Sequence, residues 1–257
     1  MFEENGKTIE NALSKVKNLL ETKKSDLSII ALTGSGISKG SGIPTFRGAD
    51  GLWKNYNALD LATPQAFRNN PKLVWEWYSW RIDLILGKEP NPAHIAITTL
   101  QRKELLKWII TQNVDNLHQR AGSTNILKIH GDIFHAWCQK CGESVELKTT
   151  PKTPPFCSCG NFLRPGVIWF GESLDRNVIS KAYEILTTNC DILLVIGTSG
   201  LVYPVADFPF IAKSNDALVI EFNLERTPIT QFADFSIFGK AEETLPLFVE
   251  GLFPSDK

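Results

Sequence analysis

The chain has 257 residues, 43% of them hydrophobic, and a formal net charge of -1 at neutral pH. That length suits one large domain or two small ones with enough apolar material for a core, and the balanced charge excludes a global basic field for nucleic acid. No apolar run approaches the roughly 18 residues of a membrane span, and the acidic start from Met1 to Lys7 lacks an apolar signal core, so a cytoplasmic protein without membrane contact is expected.

Apolar residues at Ile9, Leu13, Val16, Leu19 and Leu20 predict a helix over 9–20. The β-rich run from Leu27 to Leu32 predicts a strand that leads into Thr33-Gly34-Ser35-Gly36-Ile37-Ser38. A strand running into Gly-x-Gly opens a dinucleotide-binding turn. Its glycines let backbone approach a pyrophosphate, and the following helix offers unpaired N–H groups. Lys39 stands where the full fingerprint has a third glycine, so a tight turn without a nucleotide is the alternative on this motif alone. Gly42-Ile43-Pro44-Thr45-Phe46-Arg47-Gly48 reads as an ordered functional loop or a surface linker, with Arg47 suited to a phosphate or carboxylate. Residues 50–90 read as helical and rich in tryptophan (Trp53, Trp75, Trp77, Trp80), most of it core. Tyr78 and Arg81 share one helix face. They are either a tyrosine under a solvated arginine or a phenol and a guanidinium aimed together at a ligand carboxylate.

After a boundary at Glu89-Pro90-Asn91-Pro92, residues 93–107 read as an amphipathic helix. The buried run Trp108-Ile109-Ile110 then delivers Thr111-Gln112-Asn113-Val114-Asp115-Asn116-Leu117-His118, and the short run from Ile126 to Ile129 delivers His130-Gly131. Ligands of open α/β sheets bind at such strand ends. An amide (Asn113), a carboxylate (Asp115) and an imidazole (His130) there can hold a ribose or an amide and move a proton; a solvated histidine in a polar loop is the plainer reading of His130 alone. Cys138-x-x-Cys141 and Cys157-x-Cys159, fifteen residues apart, predict a tetrahedral structural zinc site, with four thiolates and no open position for water. Cys190 stands apart and reads as a buried small side chain. Further strands are expected at 163–172, 191–196, 217–222 and 235–238, with helices at 179–186 and after Gly239. Strand after strand ends in Gly, Ser, Thr, Asn or Asp, which points to a parallel sheet with a nucleotide across its carboxyl edge.

With these motifs in order, the sequence resembles the sirtuins, NAD-dependent protein deacylases, over nearly the whole chain from Leu27 to Leu252. The resemblance rests on Gly34-x-Gly36-Ile37-Ser38, Gly42-Ile43-Pro44-Thr45-Phe46-Arg47, Thr111-Gln112-Asn113-Val114-Asp115, His130-Gly131, the four cysteines, Gly197-Thr198-Ser199 and Asn223. It implies an α/β fold: a Rossmann-like parallel sheet with helices on both faces (residues 1–41, 95–134 and 165–257). A small domain of a zinc module and a helical module (42–94 and 135–164) completes it. It implies NAD as co-substrate and one structural zinc ion. The pyrophosphate would sit on Gly34, Ser35, Gly36, Ile37 and Ser38, beside Thr45, Phe46 and Arg47. The adenosine half would meet Gly197, Thr198, Ser199, Asn223, Leu224, Glu225 and Ala241. Gln112, Asn113, Val114 and Asp115 would surround the nicotinamide ribose and carboxamide. In the mechanism the resemblance implies, the acyl-lysine oxygen would attack the ribose as nicotinamide leaves. His130 would then act as base on a ribose hydroxyl, with Asn113 and Asp115 also catalytic, giving O-acyl-ADP-ribose and free lysine.

The partner implied is an acyl-lysine protein substrate, its peptide adding as an extended strand between Gly171-Glu172 and the Gly200-Leu201-Val202 segment, a β-augmentation mode. Tyr78-x-x-Arg81, with the small Ala62, resembles the class III subgroup, in which Tyr and Arg hold the distal carboxylate of succinyl-, malonyl- or glutaryl-lysine. A general deacetylase or a mono-ADP-ribosyltransferase of the same family is the alternative activity. A hydride-transferring dehydrogenase would share the fold but needs no Tyr-x-x-Arg site. Ser35 replaces the alanine usual in the family, which bears on NAD affinity or nicotinamide inhibition. No nucleic-acid partner is expected, and a monomer is compatible with the sequence.

Overall fold

The computed structural model describes residues 2–46, 51–52 and 56–253, with side chains from Gly6 onward. Arg47 and Trp53 lie outside the described residues. Helix α1 (Phe2–Lys23) precedes β1 (Ile29–Thr33), and α2 (Ala58–Leu61), α3 (Pro64–Asn69) and α4 (Pro71–Leu86) come later. Next come α5 (Pro92–Arg102), β2 (Leu106–Thr111), the one-turn α6 (Leu117–Arg120) and β3 (Ile126–Lys128). Strands β4 (Gly131–Cys138), β5 (Ser144–Glu146) and β6 (Leu163–Val167) precede α7 (Arg176–Thr188), β7 (Ile192–Ile196) and α8 (Phe208–Ser214). The chain closes with β8 (Leu218–Asn223), β9 (Phe235–Phe238) and α9 (Ala241–Leu252).

Six strands form one sheet in the order β3-β2-β1-β7-β8-β9, and every pair is parallel. This is the doubly wound order 3-2-1-4-5-6, in which strand order reverses between β1 and β7 and opens a crevice at their carboxyl ends. β1 and β7 are buried along their whole length, as strands covered on both faces must be. Alternation divides their side chains. Ile29 and Ala31 join Ile192 and Leu194 against α1, α5 and α9, whereas Ile30 and Leu32 join Leu193 and Val195 against α7 and α8. Each fully buried Ile or Leu contributes about 1.5–3 kcal/mol of apolar burial, so this double-faced core anchors the cleft floor.

The second sheet, β5-β4-β6, is antiparallel. The strand expected at 163–172 therefore ends at Val167 and belongs to this small sheet rather than to the parallel one. Its partner β4 carries His130 just before its start and Cys138 at its end, and both strands straddle the expected unit boundaries after residues 134 and 164. A third apolar cluster joins α4 to this sheet through Trp75, Trp77, Tyr78, Ile133, Ala136, Leu163 and Trp169.

Other elements depart from expectation for local reasons. The segment after Gly34 is a 3-10 helix, Ser35–Ser41, and not an α-helix; Gly42 in the left-handed region (φ 81°) and Pro44 stop it. Residues 58–86 divide into three helices because Pro64 and Pro71 each occupy a helix start, with Thr63 and Asn70 as caps. The helix expected over 93–107 ends at Arg102, and Lys107 lies in β2. Trp75 and Trp77 are core as expected, but Trp80 is exposed. Cys190 packs against the α7–α8 face, and burial pushes its thiol up to about 12.

Behind β2 lie two buried imidazoles, His94 and His118, with ring centroids 5.0 Å apart. Burial pushes His94 down to about 4 and His118 well below the usual imidazole range, the latter aided by His94 and Lys128. Both stay neutral when folded but take protons below about pH 6.5 when unfolded. Their stabilisation is complete above that pH and is lost as pH falls towards 4. The Asp115 carboxyl, raised by burial, works in the opposite sense and recovers part of the loss in acid. We expect His94 alone to account for about 3 kcal/mol between pH 7 and pH 4. Urea titrations at stepped pH on wild type and His94→Gln check this; identical pH slopes in the two proteins would refute it.

Candidate active site

The carboxyl ends of β1, β2, β7 and β8, with the residues before β4 and after β6, line a cleft of about 740 Å³. Its floor depends on close backbone approach. A Cβ on Gly34 would lie 2.7 Å from the Gly197 carbonyl oxygen, and one on Gly36 would lie 2.7 Å from the Gly197 Cα. The Gly36 N–H donates to the Gly197 carbonyl at 2.8 Å, so the turns after β1 and β7 are sewn together where the crevice opens. Gly34, Ser35 and Gly36 line the cleft; Ile37 and Ser38 are buried behind it.

Gln112, Asn113 and Val114 line the same wall. The Gln112 amide donates to Thr198 Oγ1 at 2.7 Å, and the Asn223 amide donates to the Thr198 carbonyl at 2.8 Å, tying three strand ends together. Asp115 does not reach the cleft wall. Its carboxylate accepts from Ser38 Oγ at 2.9 Å and from the Leu117 N–H at 3.0 Å, and Ser38 Oγ in turn accepts from the Asn113 amide at 3.2 Å. Asp115 thus supports the Asn113 side chain through Ser38. His118 also turns away from the cleft, with Nε2 lying 3.1 Å from Thr33 Oγ1.

His130 lies on the cleft wall, half-buried, with Nδ1 3.1 Å from the Gln112 carbonyl oxygen. A carbonyl can only accept, so Nδ1 carries the proton and Nε2 keeps the lone pair a base needs. The neighbouring Gly131 has φ 82°, and a Cβ there would lie 2.2 Å from the Gly166 carbonyl oxygen. Glycine is therefore required at the point where the chain turns from His130 into β4.

Gly197, Thr198, Ser199, Asn223, Leu224, Glu225 and Ala241 line one lobe of the cleft. Thr45, Phe46, Ala62, Tyr78, Arg81, Gly171 and Val202 line the other parts. Arg81 is 6% exposed, so it is not a solvated surface charge. Its guanidinium lies over the rings of Phe46 at 4.8 Å, Trp77 at 4.9 Å and Tyr78 at 5.7 Å, and no carboxylate of the described residues pairs with it. Burial lowers its pKa and pushes the Tyr78 phenol up to about 12, so at neutral pH this phenol stays protonated. Trp169, not singled out in the sequence, donates its indole N–H to the Tyr78 hydroxyl at 2.9 Å.

The cleft has the position and the donor set of a dinucleotide site at a topological switch point. The Sir2 family model matches residues 34–204, the span that carries the glycine turn, His130 and the four cysteines. The chain belongs to the Sir2 family. An NAD-dependent protein deacylase of Pyrococcus furiosus is 48% identical over 93% of this chain and 97% of its own length. One of Aquifex aeolicus is 51% identical over 86% and 93%. A solved Sir2 homologue–NAD complex superposes with a TM-score of 0.85 at 45% identity, covering 91% of this chain and 93% of the other. A Sir2 protein bound to a myristoylated histone peptide superposes with a TM-score of 0.74 at 34% identity, covering 95% and 97%. Among the described residues of this Sir2-family chain, no helix is long and apolar enough to cross a membrane.

The four cysteines converge at the far end of the small sheet, their sulfurs all within 4.8 Å of one another. Cys138 Sγ lies 3.5 Å from Cys159 Sγ, and Cys141 Sγ lies 3.3 Å from Cys157 Sγ. Tetrahedral zinc at Zn–S distances of about 2.3 Å needs sulfurs about 3.8 Å apart, so the four thiolates fit one structural ion. Removing the metal with a chelator is expected to cost on the order of 10 kcal/mol of binding free energy and to melt β4–β6. Hydrogen exchange across residues 131–167 measures it. A metal-free protein that stays protected and fully active would contradict a structural role.

Proposed function

We propose that this NAD-dependent protein deacylase of the Sir2 family removes acyl groups bearing a distal carboxylate, succinyl and malonyl above all, from lysine side chains. The observation that carries the reading is Arg81, a buried guanidinium in the cleft wall with no carboxylate partner among the described residues. A buried cation is costly unless paired. A substrate carboxylate reaching Arg81 past the small Ala62 would supply the missing charge, and the protonated Tyr78 would donate to the same group. The three aromatic faces around Arg81 offset part of its charge without a ligand, which keeps acetyl-lysine as a slower substrate.

NAD, when bound, supplies an electrophilic ribose carbon from which nicotinamide departs. Gly34, Ser35 and Gly36 bring backbone close to its pyrophosphate, and Asn223, Leu224 and Glu225 hold the adenosine half. Asn113 and Gln112 orient the ribose and carboxamide, with Asp115 acting through Ser38. Phe46 screens the leaving side from water. His130 takes a ribose hydroxyl proton at Nε2, activating that oxygen towards the acyl carbon. Gly171 and Val202 flank the substrate peptide, and residues 42–94 with 135–164 form the small helical and zinc-binding unit, joined to the larger one through β4 and β6.

A mixture of succinyl-, malonyl- and acetyl-lysine peptides competing for wild-type enzyme with NAD tests the preference. The charged acyl groups are expected to disappear first. Equal rates for all three would leave a general deacetylase.

A further inference from the structure

Arg164 has 0% exposure and does not line the cleft, yet each of its hydrogen bonds and its closer ring contact falls on a cleft residue. It extends from β6, opposite Trp137 of β4, and its guanidinium lies between two indoles, 3.4 Å from the Trp169 ring centre and 4.9 Å from that of Trp137. One edge meets the Glu172 carboxylate in a two-pronged pair: Nη1 donates to Oε1, and Nη2 donates to Oε2 at 2.8 Å. Nη2 also donates to the Val167 carbonyl at 2.9 Å, and Glu172 Oε2 accepts the Trp169 N–H at 2.8 Å. The segment between Val167 and Glu172 is thereby folded back on itself, with Gly171 in the left-handed region (φ 83°) and the Phe170 N–H donating to the Ala62 carbonyl at 3.0 Å.

We infer that the Arg164–Glu172 pair is a positioning clasp that sets the acyl-lysine wall of the cleft, holding Trp169 where its indole fixes the Tyr78 hydroxyl. The physical reason is the cost of failure. If the segment shifts, a fully buried guanidinium loses its only carboxylate among the described residues, and a bidentate fork tolerates little displacement. Burial of the cation thus turns one loop conformation into a strongly preferred one. Trp169 connects the clasp to the site: its face stacks on Arg164, its edge bonds Tyr78 at 2.9 Å, and its ring packs 5.5 Å from that of Phe67. The inference rests on the deacylase reading but not on the acyl preference, because Trp169 bounds the site whichever acyl group enters.

Glu172 lines the cleft and could touch substrate, so Arg164 is the informative position. Arg164→Lys keeps the charge and loses the fork. It is expected to raise KM for both acetyl- and succinyl-peptides about tenfold while KM for NAD stays within about twofold and turnover at saturating peptide is retained. Glu172→Gln, partly exposed and the same size, carries the test should Arg164→Lys not fold, read beside hydrogen exchange of residues 167–172 in the peptide-free protein, which a lost substrate contact would leave unchanged. If the residues act only through each other, Arg164→Lys/Glu172→Gln will be no worse than the worse single variant. Folded variants with a lowered melting temperature and unchanged peptide KM would overturn the clasp, as would single effects that multiply in the double variant. A wild type that deacylates neither peptide would instead overturn the deacylase reading, and this shows before any variant is compared.

Discussion

His130→Ala is expected to lower deacylation about 10³-fold, the range for removing a well-placed general base. The structure separates this from misfolding. The imidazole is half-buried, and its Nδ1 hydrogen bond, 3.1 Å to the Gln112 carbonyl, ends on a backbone held independently by the parallel sheet. Gly131 sets the chain direction there through its own backbone, which the substitution leaves intact. The variant should keep its melting temperature within a few degrees and still bind NAD, because the glycine floor and the Thr198–Asn223 wall are unchanged. Chromatographic counting of freed lysine peptide, beside a thermal melt, measures both. Turnover near the wild-type rate would refute the assignment of His130 as base.

Arg81→Met should lower kcat/KM for a succinyl-lysine peptide about 100-fold and leave or improve that for acetyl-lysine. Removing one partner of a buried ion pair costs roughly 2–5 kcal/mol, and about 2.7 kcal/mol is already a factor of 100. The pair exists only with a carboxylated substrate bound, so the loss falls on that substrate alone. Methionine fills a similar volume among Phe46, Trp77 and Tyr78 without burying a charge, and the free enzyme should become no less stable. Parallel progress curves for the two peptides, with melts of each protein, test both halves. An unchanged succinyl-to-acetyl ratio would remove Arg81 from the acyl site.

The strand-end chemistry was legible because it is local. An apolar run followed by Gln112-Asn113-Val114-Asp115, or by His130-Gly131, fixes which residues stand at a sheet edge whatever the rest of the chain does. The four cysteines announced themselves by spacing alone. The relation between Asn113 and Asp115 was not legible: both follow β2, but only the tertiary fold shows that Asp115 turns back onto Ser38 while Asn113 faces the cleft. The apolar run from Val167 to Phe170, with Pro165-Gly166 before it and Gly171 after it, reads as part of one strand over 163–172, and only the pairing with β4 shows that the strand ends at Val167 in the second sheet. Arg164 and Glu172 are eight residues apart with no periodic relation, so their pairing had no sequence signal. The burial of Arg81 likewise needs Phe46, from a loop 35 residues earlier, to be seen.

The measurement that bears most directly on the account is mass spectrometry of the products formed from a succinyl-lysine peptide and NAD. The account predicts O-succinyl-ADP-ribose, nicotinamide and free lysine peptide in equal amounts. Intact peptide with NAD unconsumed, or ADP-ribose attached to the peptide in place of a freed lysine, would contradict it.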